Sequence, residues 1–193
     1  MNTLDEQRIA FIRDSGRFIA FPLAGAFVWL VVALAALVLP EMTAAYVLLF
    51  GTGAIFPVAL LIARVTGQQV FQPGNRFASL MGLAVLMVNL MWALHLTLFA
   101  RLPSIAALSI ALALGLHWIV FGWIIQSPIG LVHAIFRTVL CTAAYLTFPK
   151  YAVSSVGLAV VACYTLTIFQ LLNTFQRETE SNQALQTTRT IAP

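Results

Sequence analysis

Six stretches of this chain run 21 to 25 residues with no acidic side chain and, in five of the six, no Lys or Arg: Phe18 to Leu39, Thr43 to Ala63, Phe77 to Ala100, Leu102 to Ile125, Ile129 to Pro149 and Tyr151 to Phe175. A helix rises about 1.5 Å per residue and a bilayer core is about 30 Å thick, so each stretch can cross a membrane with some tilt. Barrel strands would need about 10 residues of alternating polarity, whereas the hydrophobicity here is continuous. Composition agrees, with 61% apolar and 8% charged residues, against about 25% charged in a soluble domain. The expected architecture is an all-α integral membrane bundle of six transmembrane helices.

The connections Pro40-Glu41-Met42, Arg101, Gln126-Ser127-Pro128 and Lys150 are short, and the longer Arg64 to Arg76 contains the turn formers Gly67 and Pro73-Gly74. Short connections make neighbouring spans antiparallel, so residues 18–175 are expected to form one domain. The 22-residue first run exceeds the roughly 7 to 15 residues of a signal-peptide core, so no cleavage is expected. In residues 1–17, Thr3-Leu4-Asp5-Glu6 has capping-box spacing, and Leu4, Ile9 and Ile12 line one side of a short interfacial helix ended by Ser15-Gly16. Residues 176–193 read as a polar, disordered tail.

With the N-terminus inside, the inner segments hold Arg8, Arg13, Arg17, Arg64, Arg76, Arg177 and Arg189, and the outer ones only Arg101 and Lys150. This bias places both termini in the cytoplasm. Basic residues sit at span ends instead of forming one patch, so no nucleic-acid partner is expected. Cys141 and Cys163 have no second ligand at metal spacing, and no metal or other cofactor is expected. A bis-histidine haem needs two imidazoles at one depth, which His95 and His117 do not provide.

Arg137 is the anomaly, eight residues inside the fifth run, where insertion scales put an arginine at about +2.5 to +3.5 kcal/mol. None of the six acids, Asp5, Glu6, Asp14, Glu41, Glu178 and Glu180, lies in a span to pair with it. One candidate partner is the Gly53 carbonyl, which loses its helical donor because Pro57 has no N–H, so a kink is expected there. Counted along the helices, Gly53 is about 15 Å, Arg137 and His117 about 13 Å, and Asn89 about 18 Å from the inner face, which suggests one polar layer across four spans. The other candidate is an anion or lipid phosphate, held by charge-assisted hydrogen bonds.

His133, Arg137, Cys141 and Tyr145 follow an i, i+4 stripe, giving the fifth span one polar side that can line a cavity or act as packing glue. His95, beside Trp92 near the outer end of the third span, reads as an interfacial residue. Gly25, Gly82 and Gly115 suit close helix packing. Ala54-Ile55-Phe56 recurs as Ala134-Ile135-Phe136, a faint echo of a 3+3 inverted repeat.

Gly53-Ala54-Ile55-Phe56-Pro57 with the apolar run to Arg64, and Gly115-Leu116-His117-Trp118 through Trp123 to Ser127, resemble an uncharacterised family of small bacterial multi-span inner-membrane proteins with no assigned activity. The resemblance implies a bacterial inner membrane and a shared polar layer around Pro57 and His117, and it transfers no catalytic residue.

The residues favour a small permease or channel-like protein for an anionic or phosphate-bearing ligand, with Arg137, His117, Asn89, Gly53 and His133 as candidate site residues. The lipid bilayer is the expected partner, and a homo-oligomer is compatible with the sequence. The competing readings are a structural or accessory membrane subunit and a lipid-modifying enzyme using His117 or His133 as base and Arg137 as phosphate clamp.

Overall fold

The computed structural model describes residues 3–16 and 18–191, with side chains described through Thr174. The expected polar tail therefore lies outside the residues whose side chains are described. Nine α-helices form among the described residues, with no strand: α1 Leu4–Asp14, α2 Ala20–Val38, α3 Glu41–Gly53, α4 Ile55–Thr66, α5 Arg76–Leu90, α6 Trp92–Arg101, α7 Pro103–Ile124, α8 Ile129–Thr147 and α9 Ala152–Ile191. A single 3₁₀ turn, Pro149–Tyr151, leads into α9.

Five helical segments are long and apolar enough to cross a membrane: α2, α5 with α6, α7, α8, and the 3₁₀ turn with α9 to Thr174. The pair α3 and α4 makes a sixth if it counts as one span, bent by 41°. Its break falls at Ala54, three residues before Pro57. Proline withholds its N–H from the carbonyl four residues back, so the ladder gives way on the N-terminal side of the ring. There, Ala54 N–H turns back to the Gly51 carbonyl at 2.9 Å. The span that shares its Ala-Ile-Phe letters, α8, is unbroken.

In the bundle, α9 lies between α2 and α8 and also touches α7. The helix α7 carries α5 and α6 on one flank and touches α3, whereas α4 packs on α2. The bend thus swings α4 away from α7, leaving α4 and α5 on opposite flanks of a gap. Close crossings depend on small residues. A Cβ on Gly130 of α8 would fall 2.6 Å from the Gly122 nitrogen and onto the Trp118 carbonyl, and one on Gly157 of α9 would fall 2.8 Å from the Ala33 Cβ. Gly25 sits beneath the Tyr164 ring, as a packing glycine should, whereas Gly82 has nothing within 4 Å of its would-be Cβ and packs against no helix.

The N-terminal helix has the expected capping box: Glu6 N–H donates to Thr3 Oγ1, and Thr3 N–H donates to the Glu6 carboxylate at 2.7 Å. Phe11 is buried against the bundle while Leu4 and Ile9 are exposed, and polar anchors tie the helix to the connection between α4 and α5. Asn75 Nδ2 donates to the Gln7 carbonyl at 2.8 Å, Gln72 Nε2 donates to Ser15 Oγ at 2.9 Å, and Gln69 N–H donates to the Asp14 carbonyl at 3.0 Å. Asn75 also caps α5 by accepting from Phe77 N–H at 2.9 Å.

Candidate functional site

The stripe expected on the fifth span faces inward: His133, Arg137 and Cys141 are buried on α8 and Tyr145 is half-buried. Arg137 is fully enclosed, at 0% exposure. Its Nε donates to the Ala111 carbonyl of α7 at 2.8 Å, and Gly115 makes room for its stem, since a Cβ there would lie 3.0 Å from Arg137 Cδ. The guanidinium carbon stands 5.1 Å from the Tyr164 ring centre and 5.8 Å from that of Trp29, within cation–π range. Nη1 and Nη2 have no hydrogen-bond partner among the described residues.

One turn earlier, His133 stacks on Trp118 with ring centres 4.3 Å apart and approaches Tyr164 at 5.3 Å. Its Nδ1 lies 2.7 Å from Thr167 Oγ1. The threonine hydroxyl gives its one proton to the Cys163 carbonyl at 2.9 Å, so its oxygen accepts from Nδ1–H. That tautomer leaves Nε2 as an acceptor, again without a partner. The indole nitrogens of Trp29 and Trp118 are likewise buried and unpartnered. The excess is therefore of donors: two guanidinium nitrogens and two indole N–H groups, with no acid in any of the five unbent spans. Buried polar groups are paired in the great majority of proteins, so these unpartnered donors are the polar anomaly of the bundle interior.

His117 is half-buried on α7, beside Trp118, and its Nδ1 is unpartnered. It lines a cavity of about 390 Å³ between the α2–α4 flank and α5, which Arg137 does not line. Two candidates lie elsewhere. Gly53, at the end of α3, is exposed, and the carbonyl that receives Arg137 is Ala111, because α8 packs against α7 and α9. Asn89 is exposed and spends its amide on the Val85 carbonyl at 2.8 Å. The four-span layer thus contracts to α7 and α8, closed by α2 and α9. His95 is buried, and its Nδ1 lies 3.1 Å from Ser109 Oγ, joining α6 to α7.

Sequence reasoning did not single out Trp29, Tyr164 and Thr167. Two signals pointed to them: a tryptophan in mid-span, away from the interfaces where such rings collect, and the i, i+3 spacing of Tyr164 and Thr167 in the last span. Among the described residues no three His, Cys, Asp or Glu side chains gather to hold a metal.

A family model described as a family of unknown function, DUF7010, matches residues 4–174. The chain belongs to this family. The match takes in α1 and every candidate span, so the N-terminal helix is part of the family pattern along with the bundle. No curated protein and no solved structure matches the chain.

Proposed function

We propose that this DUF7010 chain is a small permease or channel-like protein of a bacterial inner membrane, with both termini cytoplasmic, that binds an anion at Arg137. The excess of buried donors carries this reading: the Arg137 guanidinium has two unpartnered nitrogens and stands 5.8 Å from the Trp29 ring centre, and the indole N–H groups of Trp29 and Trp118 are also buried and unpartnered. In a low-dielectric interior a charge without an acceptor is costly, and an anion offsets that cost. His133, with a bare Nε2, is the proton-accepting group beside it.

The test is thermal unfolding of the purified protein in detergent with chloride, phosphate or an anionic phospholipid, for wild type and Arg137→Met. A ligand that binds only the folded state raises its apparent stability. An anion should raise the midpoint of wild type by several degrees and leave Arg137→Met unmoved. Equal responses, or none, would overturn the anion site. A second reading, an accessory subunit braced by Arg137, is favoured by the complete enclosure of that side chain, and it predicts the second outcome.

A further inference from the structure

The gap opened by the bend in the second span has a chemistry of its own, separate from Arg137. Among the described residues the side chains lining the cavity include no charged one; its walls are dominated by rings and aliphatic groups such as Phe18, Phe21, Phe56, Met81 and Val85. On the side of the inner connections it is closed by Phe11 of the docked α1, by Ser15 at the C-terminal cap of that helix and by residues 68–70, which are tied together by the Gln72–Ser15 and Gln69–Asp14 hydrogen bonds. On the flank it is open. Phe56 and Phe71 line it while 46% and 68% exposed, so their rings stand at a mouth that faces outward between α4 and α5. On a bundle that spans a membrane, that outward surface meets lipid. His117 of α7 is one of the lining residues, and its Nδ1 has no hydrogen-bond partner among the described residues.

We infer that this cavity binds a neutral lipophilic molecule that comes in sideways from the bilayer and presents one hydrogen-bonding group to His117. Each part follows from the lining. A charged ligand would meet no counter-charge among the described walls, a water-soluble one would face the α1 closure, and a pure hydrocarbon would offer the His117 imidazole no hydrogen-bonding group. A volume of about 390 Å³ falls within the range of small-molecule sites, about 300 to 1,000 Å³.

Gly82 gives a clean way to close the site. It lines the cavity, and a Cβ there meets nothing within 4 Å, so a larger side chain fills space without displacing a helix. The experiment uses the full chain in phospholipid vesicles with three diazirine-bearing probes of equal length: a long-chain alcohol, the matching carboxylate and the matching alkane. Labelled peptides are then read by mass spectrometry. The alcohol should label residues 78–85 and Phe56 several-fold above the outward faces of α8. Gly82→Leu should abolish that excess and Gly82→Ala largely preserve it. His117→Phe, which keeps the ring volume, should reduce alcohol labelling to the alkane level. Uniform labelling of all lipid-facing positions, an excess that survives Gly82→Leu, carboxylate labelling as strong as alcohol labelling, or no effect of His117→Phe would overturn the proposal. The result is independent of the Arg137 test, so either site can fail alone.

Discussion

At the scale of single residues, one Arg side chain and no Lys, Asp or Glu is buried among the described residues, and its interactions split between its two ends. The stem and Nε of Arg137 are well received by Gly115 and the Ala111 carbonyl, while Nη1 and Nη2 are not. Replacing a poorly paired buried charge with an apolar chain of similar volume is often neutral or stabilising. Without added anion, Arg137→Met should therefore unfold at the same temperature as wild type or higher, whereas Arg137→Ala, which leaves a void, should lose about 2 to 5 kcal/mol; chemical denaturation compares the two. His133→Phe keeps the stack on Trp118 and gives up one hydrogen bond, at about 1 kcal/mol, because Thr167 retains its bond to Cys163. A loss above about 3 kcal/mol there would show that Nε2 has an essential partner. Arg137 was legible as an anomaly because its charge is written in the chain. Its acceptor was not, because a backbone carbonyl bears no side-chain mark, and the freed carbonyl of Gly53 was the more conspicuous choice.

At the scale of elements, the crossing of α7 and α8 sets the geometry of the Arg137 region, and it turns on two glycines, Gly122 and Gly130. Gly130→Ala has only backbone to push against, so it should cost about 3 kcal/mol by overpacking, seen as lost folded yield or a lowered unfolding midpoint. A glycine's importance depends on which helix crosses it, a tertiary fact, which is why Gly130 and Gly157 were not singled out and Gly82 was. Proline is different, because its defect is local: the break at Ala54 follows from Pro57 alone and was readable. Pro57→Ala restores a donor to the Gly53 carbonyl and should straighten the pair α3 and α4. Spin-label distances between α4 and α5 should then shorten as α4 returns toward the bundle, and an unchanged distance would mean that the surroundings hold the bend. The lipophile mouth should narrow with it.

At the scale of the whole molecule, the status of α3 and α4 decides the topology. As one bent span they give six crossings and place both ends of the chain on one side; as a re-entrant pair they give five and place the ends on opposite sides. Reporter fusions at each end should report the same compartment, and opposite compartments would rule out the six-span reading. The apolar runs made the membrane-length helices legible, since hydrophobic length is a property of the chain itself. Which helices touch was not legible, because nearly every residue of such a run is apolar and no face stands out. The arginine also bears on how the bundle is made. As each segment leaves the ribosome it must partition into lipid on its own merits, and α8 is the least apolar of the five unbent segments. The groups that receive its arginine stem belong to α7, synthesised just before it. The fourth segment thus acts as a template for the fifth, and the two should be released into the bilayer as a preassembled hairpin. Nascent chains ending after Thr147 should insert both segments, whereas α8 transplanted behind an unrelated helix should fail to insert.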